Sequence, residues 1–254
     1  MKKSGIIISS VLLITLGVII ALNSCGIGIS AVGESTTYTP EGEINSLVLE
    51  IGGADLNIIE SEIITVESNL KNLDVRVSGD SLIIKDKTRG SANYNGASLT
   101  LSIPKNFTFK NVEISTGAGK LTADSISAEE LELEIGAGEC TINSLTVTHS
   151  ASIEGGAGAV SILGGSIKNL ELEMGAGKLI LSAALLGESE LDLGVGEVEV
   201  ALHGTRDDYT LEFNKGIGEI TLDGEDIPST HLIGNGERTV EINGGIGKID
   251  VTFE

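Results

Sequence analysis

The sequence predicts an all-β fold, a β-solenoid with turns of about 20 residues, preceded by one N-terminal transmembrane helix. Three observations predict it. A Gly-x-Gly element recurs near one period, the residues that flank it alternate between apolar and polar, and one long apolar run stands alone near the start of the chain. Repetition near 20 residues indicates a repeat architecture. Alternation with period two indicates strands rather than helices.

The first segment, residues 1–33, is predicted to be a signal anchor. Lys2 and Lys3 precede the run GIIISSVLLITLGVIIAL at residues 5–22, and no charged residue follows until Glu34. As a helix, this run would span about 27 Å, close to the hydrocarbon thickness of a bilayer. Flanking lysines favour a cytoplasmic N-terminus. We therefore expect a single-pass protein of the cell membrane whose C-terminal domain is extracytoplasmic.

Two other fates of this leader stay open. The segment LNSC resembles a lipoprotein signal in which Cys25 would be lipidated, although Asn23 fits that pattern poorly. The leader could also be cleaved and the chain released, although no good small-x-small site follows the apolar run. All three fates place residues 34–254 outside the cytoplasmic membrane.

The repeats define a predicted β-solenoid domain over residues 44–254, with "IGGADLNI" at 51–58 as a divergent early copy. Apolar alternation slips by one residue across each Gly-x-Gly, so the chain should bend there with the middle residue pointing inward. Each turn is expected to stack on the preceding one at about 4.8 Å. The structural corner glycines are Gly117, Gly119, Gly136, Gly138, Gly156, Gly158, Gly175, Gly177, Gly194, Gly196, Gly216, Gly218, Gly245 and Gly247.

Three further segments complete the predicted organisation. Residues 34–43, ESTTYTPEGE, are expected to be a polar linker between membrane and domain. Residues 44–112 should form the first, less regular turns and cover one end of the stack. The longer last intervals between repeats predict loops near residues 203–209 and 223–238.

The lysine after two of the corners, in TGAGK at 116–120 and MGAGK at 174–178, does not indicate a nucleotide site. A phosphate-binding loop requires Gly-Lys-Ser/Thr opening a helix, so that helix-end amides face the phosphate. In this sequence Leu121 and Leu179 follow the lysines, and strand patterns follow the corners.

Two segments carry a resemblance to a known family. These are SLVLEIGGADLNII at 46–59 and LTLSIPKNFTFKNVEISTGAGKLTADSI at 99–126, which runs into the repeats. With them, residues 44–254 resemble the bacterial extracytoplasmic toast-rack, or adhesin-like, β-strand repeat family, a domain family of unknown function. The resemblance implies a right-handed single-stranded β-helix outside the membrane. It also implies a link of some relatives to cell-envelope stress systems, and it supplies no catalytic motif.

Aligning the turns places ten carboxylates on one outward face, four and two residues before the first glycine of each corner. Like charges stacked at strand spacing destabilise a sheet, and their repulsion raises carboxyl pKa values. We interpret this face as a contact surface for a cationic protein, a basic peptide or a divalent cation. The alternative is a solvated, aggregation-resistant face. The residues are Glu113, Glu132, Glu134, Glu154, Glu171, Glu173, Glu190, Asp192, Glu212 and Glu241.

Other site chemistries find little support, so we expect no catalytic residue, no metal-site residue and no cofactor. The best match to a calcium β-roll, GGIGKIDV at 244–251, has Ile249 where Asp is required. The three histidines lack metal-ligand spacing. Cys140 aligns with apolar core positions, and no Gly-x-Ser-x-Gly element occurs.

The function expected from these features is non-enzymatic binding or sensing in the cell envelope. A formal net charge of −21 argues against nucleic acid and anionic lipid headgroups as partners. One alternative is a structural or adhesive surface spacer without a specific ligand. A less favoured alternative is a carbohydrate-active β-helix enzyme, because many equivalent carboxylates and few aromatic residues fit a sugar cleft poorly.

Overall fold

Alternating side chains and glycine bends build the long strands of this protein. In the strand Ile126–Ile142, Leu131, Leu133 and Ile135 are buried before the glycine corner, and Cys140 and Ile142 are buried after it. The bend at the corner absorbs the one-residue slip in the sequence pattern. One strand therefore contributes buried side chains to two faces of the same core.

The computed structural model describes residues 29–90, 92–228 and 231–254. A short 3-10 helix covers Arg206–Asp208. The strands are β1 (Ile29–Ser30), β2 (Val32–Tyr38), β3 (Ser46–Ile51), β4 (Asp55–Ser61), β5 (Thr65–Leu70), β6 (Leu73–Ser78), β7 (Ser81–Asp86), β8 (Ala92–Asn93), β9 (Ser98–Pro104), β10 (Phe109–Ala123), β11 (Ile126–Ile142), β12 (Leu145–Ile162), β13 (Gly165–Lys168), β14 (Leu170–Leu186), β15 (Glu188–Leu202), β16 (Tyr209–Asn214), β17 (Ile217–Leu222), β18 (Glu225–Asp226), β19 (His231–Gly234), β20 (Arg238–Asn243) and β21 (Ile246–Phe253).

The predicted transmembrane helix at 5–22 and the candidate lipidation site Cys25 lie outside the described residues. Within the described ranges, no helix has the length and apolar character needed to cross a membrane.

The long strands pair in parallel and in register, so each repeat forms one layer of a stack. Leu133, Ile153, Leu172 and Leu191 lie opposite one another in successive layers, and none of them is exposed to solvent. Such columns of branched aliphatic side chains fill the interior from end to end. The all-β solenoid predicted from the repeats is confirmed, and its handedness stays a prediction.

The order of the layers departs from the order of the chain at both ends. The C-terminal layer of β20 and β21 pairs with β15, and the earlier layer of β16 and β17 lies outside it. At the other end, β3 and β4 pair with β10, and β7 and β9 lie outside them. The prediction that each turn stacks on the preceding one is therefore wrong at the ends. Because β20 and β21 lie between β15 and the layer of β16 and β17, the last strands of the chain have a neighbouring strand on both sides.

Antiparallel strands cover both ends of the parallel stack. β5 pairs with β9, β2 with β5 and β6 with β7 at one end, while β19 pairs with β16 and β18 with β17 at the other. Short antiparallel strands limit the pairing of an open edge with another chain. Because β2 belongs to this cover, the linker predicted at 34–43 is wrong for residues 34–38.

The middle residue of each corner lies on the outside of the bend, contrary to the predicted inward orientation. Ala118, Ala137, Ala157 and Ala176 are exposed. The residues that flank the corner, such as Ile135 and Cys140, already fill its concave side. The middle residue is therefore left on the convex side. Val195 is 54%, Ile217 75% and Ile246 54% exposed.

The corner glycines are required by the close approach of stacked backbones. A Cβ on Gly156 would overlap the carbonyl oxygen of Gly136, and one on Gly175 would overlap that of Gly156. The second glycine of the corner meets the same obstacle and also adopts left-handed backbone, with φ of 138° at Gly177. No side-chain rotation relieves a clash with backbone.

We expect Gly156→Ala to lower the unfolding free energy by about 3 kcal/mol, because the stacked carbonyl must move to admit the methyl group. Gly164→Ala is the matched control. Its Cβ would lie 3.2 Å from the Asn143 carbonyl oxygen, and Gly164 lacks a left-handed φ. Its cost should stay below about 1 kcal/mol. Chemical denaturation of the full chain in non-ionic detergent, followed by circular dichroism, measures both. Equal losses would contradict the proposed role of backbone stacking.

Candidate functional site: the acidic face

The candidate site is one flat side of the stack, formed by the strand segments that precede the glycine corners. Alternation turns every second side chain of these segments outward, and parallel register aligns those side chains in columns. The first ladder, in stacking order, is Glu113, Glu132, Ser152, Glu171, Glu190, Glu241 and Glu212. The second ladder is Ser115, Glu134, Glu154, Glu173, Asp192, Asn243 and Asn214. We call the two ladders together the acidic face.

The carboxylates of the acidic face differ from those elsewhere on the stack in their ion pairing. In the described part of the chain, none of the ten predicted carboxylates takes part in an ion pair. The strand segments after the corners are different. There Lys178 Nζ lies 2.8 Å from Glu199 Oε1, and Lys248 Nζ lies 2.7 Å from Asp250 Oδ2. Some carboxylates are therefore paired with lysines on one side of the corner, whereas those on the other side are not.

Two carboxyl groups of the acidic face have raised pKa values. Partial burial is the main cause for Glu154, and repulsion from Glu134 and Glu173 in the adjacent layers adds to it. Partial burial also raises the pKa of Glu190, followed by repulsion from Asp192. Both causes disfavour the ionised form. These two carboxyl groups therefore hold their protons more readily than free glutamate does.

Asparagine amides donate hydrogen bonds to the carboxylates at one end of the acidic face. Asn243 Nδ2 donates to Asp192 Oδ1 at 2.6 Å and to Glu190 Oε1 at 3.1 Å. Asn214 Nδ2 donates to Glu241 Oε1 and to Asn243 Oδ1, each at 2.9 Å. At the opposite end, Lys85 pairs with Glu50, which continues the second ladder. The uncompensated charge is thus concentrated in the middle layers.

The role of Asn214 and Asn243 was missed by sequence reasoning, which considered only the ten carboxylates of this face. The sequence did contain a signal for this role. Two residues before the corner, the carboxylate of the middle repeats is replaced by asparagine in the last two repeats. Its meaning depends on the order of the layers, since Asn243 lies beside Asp192 only because β20 pairs with β15.

A shallow depression lies on the acidic face. Serines at 150 and 152 replace the longer side chains of neighbouring layers, which leaves a shallow cleft flanked by Glu132 and Glu171. Within the described ranges, no three His, Cys, Asp or Glu side chains come together in a way that could hold a metal ion. The cleft is lined by acidic, amide, small and aliphatic residues, so it offers no stacking platform for a sugar.

The remaining candidate residues are dispersed. Burial raises the pKa of the Cys140 thiol to about 12, which keeps it protonated and a poor nucleophile. His149 is exposed, whereas His203 Nε2 lies 2.8 Å from the Ser182 hydroxyl. The fourteen corner glycines lie along the edge between the acidic face and the strand segments that follow the corners.

Comparisons with known proteins agree with this architecture. The sequence pattern of the Toastrack DUF4097 family matches residues 44–233. A candidate adhesin from Bacteroides fragilis, solved by crystallography, is 15% identical with a TM-score of 0.59, and the alignment covers 89% of this chain and 100% of that one. A candidate adhesin from Parabacteroides distasonis is 14% identical over the same shares, with a TM-score of 0.43. Only the first score supports a shared fold. No curated protein matches the chain.

The raised carboxyl pKa values predict stabilisation in mild acid. Because Glu154 and Glu190 have pKa values above their unfolded values, the folded chain binds protons first as the pH falls, so unfolding free energy should rise below pH 7. At lower pH this trend reverses, since Asp250, whose pKa is lowered by Lys248 and Thr221, must be protonated. Thermal melts of the full chain in non-ionic detergent from pH 7 to pH 3 should show the highest melting temperature at an intermediate pH.

The Glu154→Gln variant tests the cause. It should raise stability at pH 7 by about 0.5 kcal/mol and flatten the rise in mild acid, because it removes a like charge from the ladder. Glu62→Gln, on an exposed loop, is the control for loss of a negative charge. A loss of stability at pH 7 in Glu154→Gln that Glu62→Gln does not share would count against repulsion within the ladder.

Asn243→Asp should destabilise the protein by about 1–3 kcal/mol at pH 7, because a donor to two carboxylates becomes a third carboxylate. Added salt should recover part of the loss by screening. The control is Asn235→Asp, at an exposed position away from the ladders. Denaturation midpoints at low and high sodium chloride measure both effects. A loss in Asn243→Asp that is independent of salt would rule out electrostatic repulsion as its cause.

Proposed function

The chain belongs to the Toastrack DUF4097 family, and on that premise we propose that it is a non-enzymatic protein of the cell envelope whose acidic face binds a cationic polypeptide. Residues 5–22 would anchor it in the cell membrane, with the adhesin-like solenoid on the extracytoplasmic side. The leader joins the stack through β1, which pairs with β8 near the end formed by β7 and β9. The stack would then project from the membrane with β16 and β17 at its far end.

The observation that carries this proposal is the absence of ion pairs on the acidic face among the described residues. Opposite charges pair where the fold provides them, as in Lys178–Glu199, so the unbalanced face is a local property. Stacked like charges reduce stability. A bound polycation would remove this repulsion and lower the pKa of Glu154, so binding and proton release would be linked.

The spacing of the charges favours a polycation over a single metal ion. Calcium is coordinated by six to eight oxygens gathered around one point. The ladders instead distribute carboxylates along the stack, about one layer spacing of 4.8 Å apart. Such an arrangement suits a chain of lysine or arginine side chains, each meeting a different layer.

Binding of oligolysine tests the proposal directly. We expect a ten-residue oligolysine to bind the full chain in phosphatidylcholine nanodiscs and to weaken steeply with sodium chloride. The triple variant Glu132→Gln, Glu154→Gln, Glu171→Gln should weaken binding at least about tenfold, since three screened contacts contribute roughly 1.4 kcal/mol or more. Isothermal titration calorimetry measures the affinity, with empty nanodiscs subtracted.

The matched control removes three carboxylates from the other side of the corner. Glu139→Gln, Glu197→Gln, Glu219→Gln changes the net charge by the same amount, in β11, β15 and β17. It should leave binding within about twofold of the unchanged protein. Equal weakening by both triple variants would show that oligolysine responds to total charge, and the acidic face would lose its assigned role.

A further inference from the structure

Three large apolar side chains are exposed side by side at the far end of the stack. Val195 lies opposite Ile246, and Ile246 lies opposite Ile217, in the last three layers. They are 54%, 54% and 75% exposed. Ala176 continues the column in the preceding layer. We call these four residues the apolar corner. Contiguous exposed apolar side chains on a soluble surface mark a contact site more often than isolated ones do.

The apolar corner borders the acidic face. Asp192 precedes Val195 by three residues in the same strand, and Glu173 precedes Ala176 by three. The second ladder is acidic in the middle layers and becomes amide at Asn243 and Asn214, where the corner becomes large and apolar. The two surfaces therefore form one strip along the stack, acidic in the middle and apolar towards the far end.

We propose that this strip binds a cationic α-helix of an extracytoplasmic protein or peptide. The helix would lie along the stack axis, with basic side chains at one end of its contacting side and apolar side chains at the other end. This inference rests on the proposed function and specifies its partner. Basic side chains of the helix would meet Glu134, Glu154, Glu173 and Asp192. Apolar side chains at its other end would cover Val195, Ile246 and Ile217. Charge complementarity selects this occupant, because the strip combines unpaired carboxylates with an exposed apolar edge.

The layer spacing fits a helix better than an extended peptide. Helical turns repeat every 5.4 Å, which differs from the 4.8 Å layer spacing by about 0.6 Å per step. Residues on one side of an extended strand repeat at about 6.7 Å, a mismatch of about 1.9 Å per step. From the layer of Glu134 to that of Ile217 there are about five steps, or roughly 24 Å, which a helix of about 16 residues covers.

A second copy of this chain is a poor occupant of the same strip. Each copy carries a formal net charge of −21. Joining two apolar corners would also bring two acidic faces near each other, and like-charge juxtaposition opposes association. The strip therefore favours a partner of opposite charge.

The test uses two synthetic 18-residue peptides of identical lysine, leucine and alanine composition. In the first peptide, one side of the helix carries lysines at i, i+4 spacing along the first half of its length and leucines at the same spacing along the second half. In the second, the same residues are distributed around the helix. We expect the first to bind the full chain in phosphatidylcholine nanodiscs at least tenfold more tightly than the second, with a rise in helical circular dichroism on binding.

Variants then separate the two surfaces. Ile217→Ser with Ile246→Ser should weaken the first peptide about tenfold and leave oligolysine unchanged. Leu163→Ser is the control, since Leu163 is 47% exposed away from the apolar corner. Melting temperatures confirm that each variant is folded, and Val195→Ser replaces the double variant if that one is not.

Each outcome decides the inference. Equal affinity of the two peptides, or no effect of the folded corner variant, overturns the helix assignment. The proposed function still stands in that case if the Glu132→Gln, Glu154→Gln, Glu171→Gln variant abolishes binding of both peptides. Failure of both peptides and of oligolysine to bind overturns the inference and the proposed function together.

Discussion

The close stacking of backbones at the glycine corners is the constraint on which the rest of the structure depends. At Gly156 and Gly175 the layers approach so closely that a Cβ would occupy the place of a carbonyl oxygen. Because only glycine fits, the corners of successive layers must lie above one another. A layer cannot slip by one residue without placing a side chain where no room exists. The corner thus sets the register for the strands on both sides of it.

Register then converts a local sequence pattern into a surface. A residue at a given distance from the corner is repeated by its counterpart in the next layer, so a modest preference for glutamate becomes a continuous ladder. The same rule produces the columns of Leu and Ile inside the stack and the apolar corner outside it. The interior columns stabilise the fold by burial. The acidic ladders oppose it, and repulsion from Glu134 and Glu173 adds to the partial burial that raises the pKa of Glu154.

Much of this architecture could be predicted from the sequence, because period and alternation directly reflect strand geometry. The alternation placed Leu133 and Leu172 inside, and Glu132 and Glu171 outside. The layer order at the ends could not be predicted this way. The repeats at 209–222 and 238–253 carry the same Glu-x-Asn pattern before their corners, so either could pair with β15. The outward orientation of Ala176 and Val195 was also missed, because the period-two alternation of a strand does not show which side of a bend is concave.

The inserted order of the last layers has an electrostatic consequence on one side of the corner. Lys248 comes to lie between Glu197 and Glu219, and both raise its pKa, after Asp250 as the main cause. Stacking in chain order would have placed Glu219 directly on Glu197. On the acidic face no such rearrangement can help, because Glu190, Glu241 and Glu212 occupy the same position in whichever order these layers stack. The fold can exchange layers but cannot supply a cation to that ladder. Neutralisation of the acidic face must therefore come from protons, from salt or from a partner outside the chain.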